Sequence, residues 1–174
     1  MIILGVDPGS RIMGFGLIDN HATSIKYVHS GHIRAEGAKL VDRLGYIFTA
    51  IDQIIGRYHP EQMSIENVFM ARNADSALKL GQARGAAICA AHQAGLEIAE
   101  YAPREVKQAV VGTGAASKEQ IEHMVRRLLG LRQSLQSDEA DGLALAICHA
   151  QHYSTRQKTG LPAELLKRRR GQRR

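Results

Sequence analysis

The stretch that decides the fold is residues 1–33, MIILGVDPGSRIMGFGLIDNHATSIKYVHSGHI. It contains apolar runs separated by the Gly, Asp, Asn and Ser residues that are typical of turns. The runs are Ile2 to Val6, Gly14 to Ile18 and Ile25 to Ile33. Because the connections between them are short, the pattern predicts an antiparallel meander of strands.

The rest of the chain alternates helices with two further strands. From Leu40 apolar residues recur at helical spacing until His59-Pro60, where the proline ends the helix. The remaining predictions are a strand from Gln62 to Glu66, a helix from Asn73 to Ala94, a strand from Leu96 to Tyr101, and helices ending at Val111, running from Ser117 to Leu129, and running from the N-cap candidate Ser137 to about Tyr153. This order predicts an α/β fold, a mixed five-stranded sheet with helices on both faces.

The composition is that of an ordinary globular protein, with 174 residues, of which 44% are hydrophobic and 23% charged. The longest apolar stretch, around Ala86 to Leu96, is interrupted by polar residues and is too short for a membrane span. The first residues lack the charged region and the apolar length of a signal peptide, so we expect a cytoplasmic protein. Cys89 and Cys148 lie far apart in apolar helical patterns, which predicts two small buried side chains rather than a zinc or redox pair.

Positive charge is concentrated at the C-terminus. The formal net charge is +6, and the eight residues from Lys167 to Arg174 carry six positive charges. Such a tail adds sequence-independent attraction to a polyanion, although a merely solubilising tail has the same composition. We predict a globular domain over residues 1–153 and a flexible basic tail over residues 154–174.

Four acidic residues occupy positions from which their side chains could converge. Asp7 and Glu66 each end an apolar strand, and that edge of an open α/β sheet is where ligands bind. Asp138 and Asp141 are three residues apart at the start of a helix, so both carboxylates project from one face.

A cluster of carboxylates repels itself unless a cation neutralises it or some groups stay protonated. Hard oxygen ligands suit Mg²⁺ or Mn²⁺, and two such ions about 3.5–4 Å apart can activate a water and steady the leaving oxygen of a phosphodiester. Taken singly, Asp7 could form an Asx turn, and Asp138 and Asp141 could complement the helix dipole. Glu66 has no such structural explanation. Together the acids predict a catalytic metal site in which they are ligands rather than proton donors.

Three blocks of sequence resemble a known family. They are GVDPGSRIMGFG at 5–16, IENVFMARNADSALKLGQARG at 65–85 and DEADGLALA at 138–146. On these blocks the chain resembles the RuvC Holliday-junction resolvases of bacteria from Met1 to about His152. The resemblance implies a ribonuclease H-like fold and a homodimer that resolves a four-way DNA junction, in recombination and repair, by paired symmetric nicks. It also implies a branch-migration helicase of the RuvA and RuvB type as partner.

The resemblance further implies roles for single residues. The catalytic and metal-binding quartet of the family, which holds two Mg²⁺ ions with Mn²⁺ able to substitute, falls on Asp7, Glu66, Asp138 and Asp141. Phe69 matches an aromatic residue that stacks on junction bases, with core packing as its alternative, and Arg72 in the same loop is a further candidate for DNA binding. Lys107 and Lys118 match lysines near the scissile phosphate, with solvated helix faces as their alternative.

Two helical patterns have less specific meanings. Gly81 and Gly85 would let two helices approach closely, which is consistent with a dimer interface. His149 and His152 share a helix face without a third metal ligand nearby, so we predict that both lie on the surface.

Three other functions fit parts of the sequence. Actin-like and sugar-kinase ATPases also open with a strand ending in Asp-x-Gly-Ser, but they need two such domains and have no use for the Asp138 helix. A junction-binding module without catalysis conflicts with the intact quartet. A ribonuclease H-like enzyme acting on RNA or RNA–DNA hybrids lacks the long block around Phe69.

Overall fold

The computed structural model describes residues 1–21, 24–68 and 73–160. Every predicted helix and strand is present, and the second strand extends beyond both of its predicted ends. The elements are β1 Ile2–Asp7, β2 Ile12–His21, β3 Ser24–Arg34, α1 Leu40–Tyr58, β4 Gln62–Glu66, α2 Ala74–Gln93, β5 Glu97–Tyr101, α3 Pro103–Val111, α4 Lys118–Leu129 and α5 Ser137–Thr159.

The strands form one five-stranded sheet in the order β3-β2-β1-β4-β5. β2 pairs antiparallel with β1 and β3, so the predicted meander is confirmed. β4 pairs parallel with β1 and β5, because α1 and α2 carry the chain back to the same end of the sheet before each strand begins. The carboxyl ends of β1 and β4 therefore meet at one edge of the sheet.

A hydrophobic core lies on each face of the sheet, as predicted for helices on both faces. One core contains Leu4, Val6 and Met63 of the strands together with the apolar stripe of α1 and the alanines of α2. The other contains Ile3 and Ile18 together with apolar residues of α3, α4 and α5. Strand residues alternate between these cores because successive side chains of a strand point to opposite faces.

The final helix differs from its prediction at both ends. Gln136 rather than Ser137 is the N-cap residue, and its backbone N–H donates to the Glu139 carboxylate at 3.3 Å. The helix continues beyond Tyr153 to Thr159, although this part has no apolar periodicity. Hydroxyl groups of its last turns donate to carbonyls four residues earlier, and Gly160, in the left-handed region at φ 63°, ends the helix. Residues 161–174 lie outside the described part of the chain, so the basic tail stays a prediction.

His149 was predicted on the surface, and this prediction is wrong. Its side chain is only 4% exposed, and burial lowers the pKa of its ring to about 4. The Gln62 amide nitrogen donates to Glu97, so the Gln62 amide oxygen is left to accept from His149 Nε2 at 2.7 Å. His149 Nδ1 then accepts from the Tyr101 hydroxyl at 2.8 Å. The histidine satisfies a buried polar network between β4, β5 and α5.

The two cysteines have different environments. Cys148 is buried as predicted, but Cys89 is exposed, because it lies on the outer face of α2 while Ala87 and Ala90 face the core. Within the described ranges, none of the helices combines the length and the apolar character needed to cross a membrane.

Candidate metal centre

Two of the predicted acids lie side by side at the carboxyl edge of the sheet. β1 and β4 are parallel neighbours, and their last paired residues are Val6 and Ile65. Asp7 and Glu66 directly follow this pair, and both side chains face α5, since Val6 and Ile65 face the opposite core. The strand alternation therefore brings the two carboxylates to the same face as well as to the same edge.

The first turn of α5 brings the other two acids to this edge because glycines let the helix rest directly on the sheet. A Cβ atom added at Gly14 would lie 2.0 Å from the carbonyl oxygen of Asp138, and one added at Gly5 would lie 2.1 Å from that of Gly142. On the helix side, a Cβ at Gly142 would lie 2.5 Å from the carbonyl carbon of Phe15. Without side chains at the contact, Asp138 and its helix approach Asp7 closely.

This glycine contact was not predicted from the sequence. A signal for it was present, because residues 14 and 16 are alternate positions of one strand and both are glycine. Gly5 pairs with Gly16 and Asp7 with Gly14, so the glycines share the face on which Asp7 lies. A row of glycines on one face of a sheet indicates a close backbone approach.

The carboxylates act on one another electrostatically. Burial, and then the negative charges of the other three acids, raise the pKa of Asp7 to about 7. Burial and the neighbouring Asp141 raise the pKa of Glu66. The pKa of Asp141 is also raised, by burial and by Asp138. The site thus concentrates more negative charge than the protein alone neutralises.

Both predicted lysines border this cluster. Lys118 Nζ lies 3.3 Å from Asp141 Oδ2 and 3.4 Å from Ser137 Oγ, and the charge of Asp141 raises the pKa of Lys118. Lys107 Nζ donates to the Ala116 carbonyl at 2.8 Å, and its charge lowers the pKa values of Glu66 and Asp141. The positively charged side chains of Lys107 and Lys118 therefore flank the acids on the side of α3 and α4. Phe69 and Arg72 lie outside the described residues.

The donor set fits a hard divalent cation. All four side chains are carboxylates, which Mg²⁺ and Mn²⁺ prefer, and the raised pKa values mark a charge that a cation would neutralise. Among residues 1–21, 24–68 and 73–160, no three acidic, histidine or cysteine side chains already converge as a ligand set.

The chain is similar to known proteins in both sequence and structure. The family model described as Crossover junction endodeoxyribonuclease RuvC matches residues 3–149. A protein of that name from Tolumonas auensis is 56% identical over 154 residues, which cover 88% of this chain and 89% of the relative. Another from Pseudomonas entomophila is 59% identical over 149 residues, which cover 86% of each chain.

Solved structures agree with these matches. The structure of Thermus thermophilus RuvC in complex with a Holliday junction substrate has a TM-score of 0.83 and is 34% identical, covering 89% of this chain and 96% of that one. The yeast mitochondrial Holliday junction resolvase, at 9% identity and a TM-score of 0.60, shares the fold alone. These likenesses confirm the predicted ribonuclease H-like α/β fold. With a family model that spans most of its length and relatives above half identity, the chain belongs to the RuvC family of crossover junction endodeoxyribonucleases.

Proposed function

We propose that this protein resolves four-way DNA junctions by paired symmetric nicks, and that four carboxylates hold the divalent cations that cleavage requires. The observation that carries this proposal is the position of the acids. Three separate segments of the chain contribute them to one sheet edge, where burial and the negative charges of neighbouring acids raise the pKa values of Asp7, Glu66 and Asp141. The proposed ligands are Asp7, Glu66, Asp138 and Asp141.

Each group in the site has a part in the proposed hydrolysis. The carboxylates act as ionised ligands, and the cations, Mg²⁺ or Mn²⁺ at two per site, supply an activated water and stabilise the leaving oxygen when bound. Lys118, which is largely exposed beside Asp141, is available to move onto a phosphate oxygen as DNA arrives. Lys107 is held against the backbone at Ala116 and adds a fixed positive charge.

DNA recognition in this proposal extends beyond the described residues. Phe69 stacks on bases at the junction centre, and Arg72 contacts phosphate. The basic tail that follows Gly160 adds sequence-independent attraction. The support for four-way junctions in particular comes from the family and from the junction substrate bound to the Thermus thermophilus relative.

A homodimer is part of the same proposal, with α2 as its contact surface. Leu78 on this helix is 68% exposed, and Cβ atoms added at Gly81 or Gly85 would meet nothing within 4 Å, so a second helix could approach there. A two-fold dimer would present two active sites to the two opposed strands of a junction. A branch-migration helicase of the RuvA and RuvB type as partner, and a cytoplasmic location, complete the proposal.

The proposal is tested by comparing three labelled substrates of the same sequence: a mobile four-way DNA junction, a linear DNA duplex and an RNA–DNA hybrid duplex. With Mg²⁺, we expect symmetric nicks in the junction, little cutting of the two linear substrates, and no product in chelator. Preferential cutting of the hybrid would assign the protein to ribonuclease H-like chemistry on RNA. Tight junction binding without cleavage in either metal would show a binding module instead.

A further inference from the structure

Arg84 connects α2 to the strand that carries Glu66. Its Nε donates to the backbone carbonyl of Glu66 at 3.0 Å, and its Nη2 forms an ion pair with the carboxylate of Glu100 on β5. The side chain is only 17% exposed. One planar guanidinium thus joins three elements, and one of its bonds ends on the main chain of a proposed metal ligand.

This bond occurs where the sheet gives Glu66 less support. The pairing of β4 with β1 ends at Ile65, so Glu66 lies beyond the last residue paired on that side. On the other side the ladder with β5 continues, and the Asn67 N–H donates to the Tyr101 carbonyl at 2.8 Å. Arg84 adds a side-chain donor where the β1 ladder has stopped.

Arg84 acts on geometry rather than on the charge of the Glu66 carboxylate. Its contact with Glu66 is a hydrogen bond to the main-chain carbonyl. Its own charge is paired with Glu100. The remaining effect of its contact with Glu66 is to fix the backbone from which the carboxylate projects.

We propose that Arg84 is a positioning residue for the metal centre, which holds the Glu66 carboxylate at Asp7 and so increases the affinity for the divalent cation. This inference rests on the proposed function of the carboxylate site. Groups that orient metal ligands from outside typically change metal affinity about 10- to 100-fold when they are removed. Lysine cannot replace the arginine, because a single ammonium cannot reproduce the fork that reaches two acceptors.

The test is a titration of the whole protein with Mn²⁺ in the absence of DNA. Electron paramagnetic resonance measures the free Mn²⁺ at each step and so gives the affinity. For Arg84→Lys we expect an affinity about tenfold weaker than wild type. Junction binding in chelator should stay within about twofold, since the substitution keeps the charge. Glu100→Gln, which removes the ion pair but leaves Arg84 in place, should weaken Mn²⁺ binding in the same direction by a smaller factor.

Lys79→Ala is the matched control, because it removes a positive charge from the same helix at a half-exposed position whose partner among the described residues is Asp75. It should bind Mn²⁺ as wild type does. If the Arg84→Lys variant folds and binds Mn²⁺ with wild-type affinity, the inference is overturned. It is also overturned if Lys79→Ala loses as much Mn²⁺ affinity as Arg84→Lys does. Because Mn²⁺ binding is measured without cleavage, a wild-type protein that binds the ion but cuts no junction would count against the proposed function alone.

Discussion

The Asp7→Asn variant is expected to cut a four-way DNA junction about a hundredfold to a thousandfold more slowly than wild type, as happens when a charge-stabilising group is removed from an active site. Asparagine keeps the shape of the side chain but loses the negative charge that attracts a divalent cation. The measurement is single-turnover cleavage of a labelled junction in Mg²⁺, with junction binding measured separately in chelator.

Binding of the junction by Asp7→Asn should remain, because the exposed cations and the basic tail supply it. Asp52→Asn is the control, since it makes the same chemical change on the exposed surface of α1. It should cut at the wild-type rate. Unchanged cleavage by Asp7→Asn would rule out Asp7 as a metal ligand.

The same variant should be more stable than wild type when no metal is present. The pKa of Asp7 is about 7 in the folded chain against 3.8 without the fold, so the unfolded chain releases this proton at lower pH. Stability in chelator therefore falls as pH rises from about 4 to about 7, and ionised Asp7 costs up to about 4 kcal/mol above that range. Urea unfolding in chelator should show a gain for Asp7→Asn at about pH 8 that largely disappears at about pH 4.

Gly142→Ala is expected to destabilise the fold by about 3 kcal/mol and to reduce cleavage, because α5 must move away from the sheet. A Cβ atom there would lie 2.5 Å from the carbonyl carbon of Phe15 and 2.7 Å from its Cα. These are backbone atoms of a paired strand, so they cannot move aside as the end of a flexible side chain could. The displaced helix would carry Asp138 and Asp141 away from Asp7. Urea unfolding gives the loss of stability, and Mn²⁺ titration gives the loss of metal affinity.

Gly56→Ala is the matched control for this substitution. Gly56 also lies inside a helix, but a Cβ there would meet nothing within 4 Å. Replacing an exposed helical glycine by alanine should therefore stabilise the fold by about 1 kcal/mol. If Gly142→Ala were as stable as wild type, the close contact between α5 and the sheet would not support the site as described.

The order of elements could be predicted from the sequence because each has a local signal. Apolar runs bounded by turn residues predicted the leading strands, the helical spacing of apolar residues predicted α1, and Pro60 marked the end of that helix. The end of α5 had one local signal, Gly160, which the apolar pattern did not reach. Its last turns carry no apolar stripe, and Gly160, in the left-handed region, ends the helix.

Side-chain environments were harder to predict where tertiary contacts decide them. His149 and His152 share a helix face, but only the sheet shows that Gln62 and Tyr101 supply buried partners for His149. Likewise, the acids could be assigned to strand ends and a helix start, whereas the glycine contact that brings α5 to the strands depends on pairing across β1 and β2. Arg84 lies in one of the three blocks that resemble the family, and nothing local indicated that Glu66 is its partner.

Crystals soaked in Mn²⁺ test the central claim most directly, through an anomalous difference map. We expect strong peaks coordinated by carboxylate oxygens of Asp7, Glu66, Asp138 and Asp141, and loss of those peaks in Asp7→Asn. The claim would be contradicted if the protein cuts junctions in Mn²⁺ but its crystals show manganese only at other positions and none at the four acids.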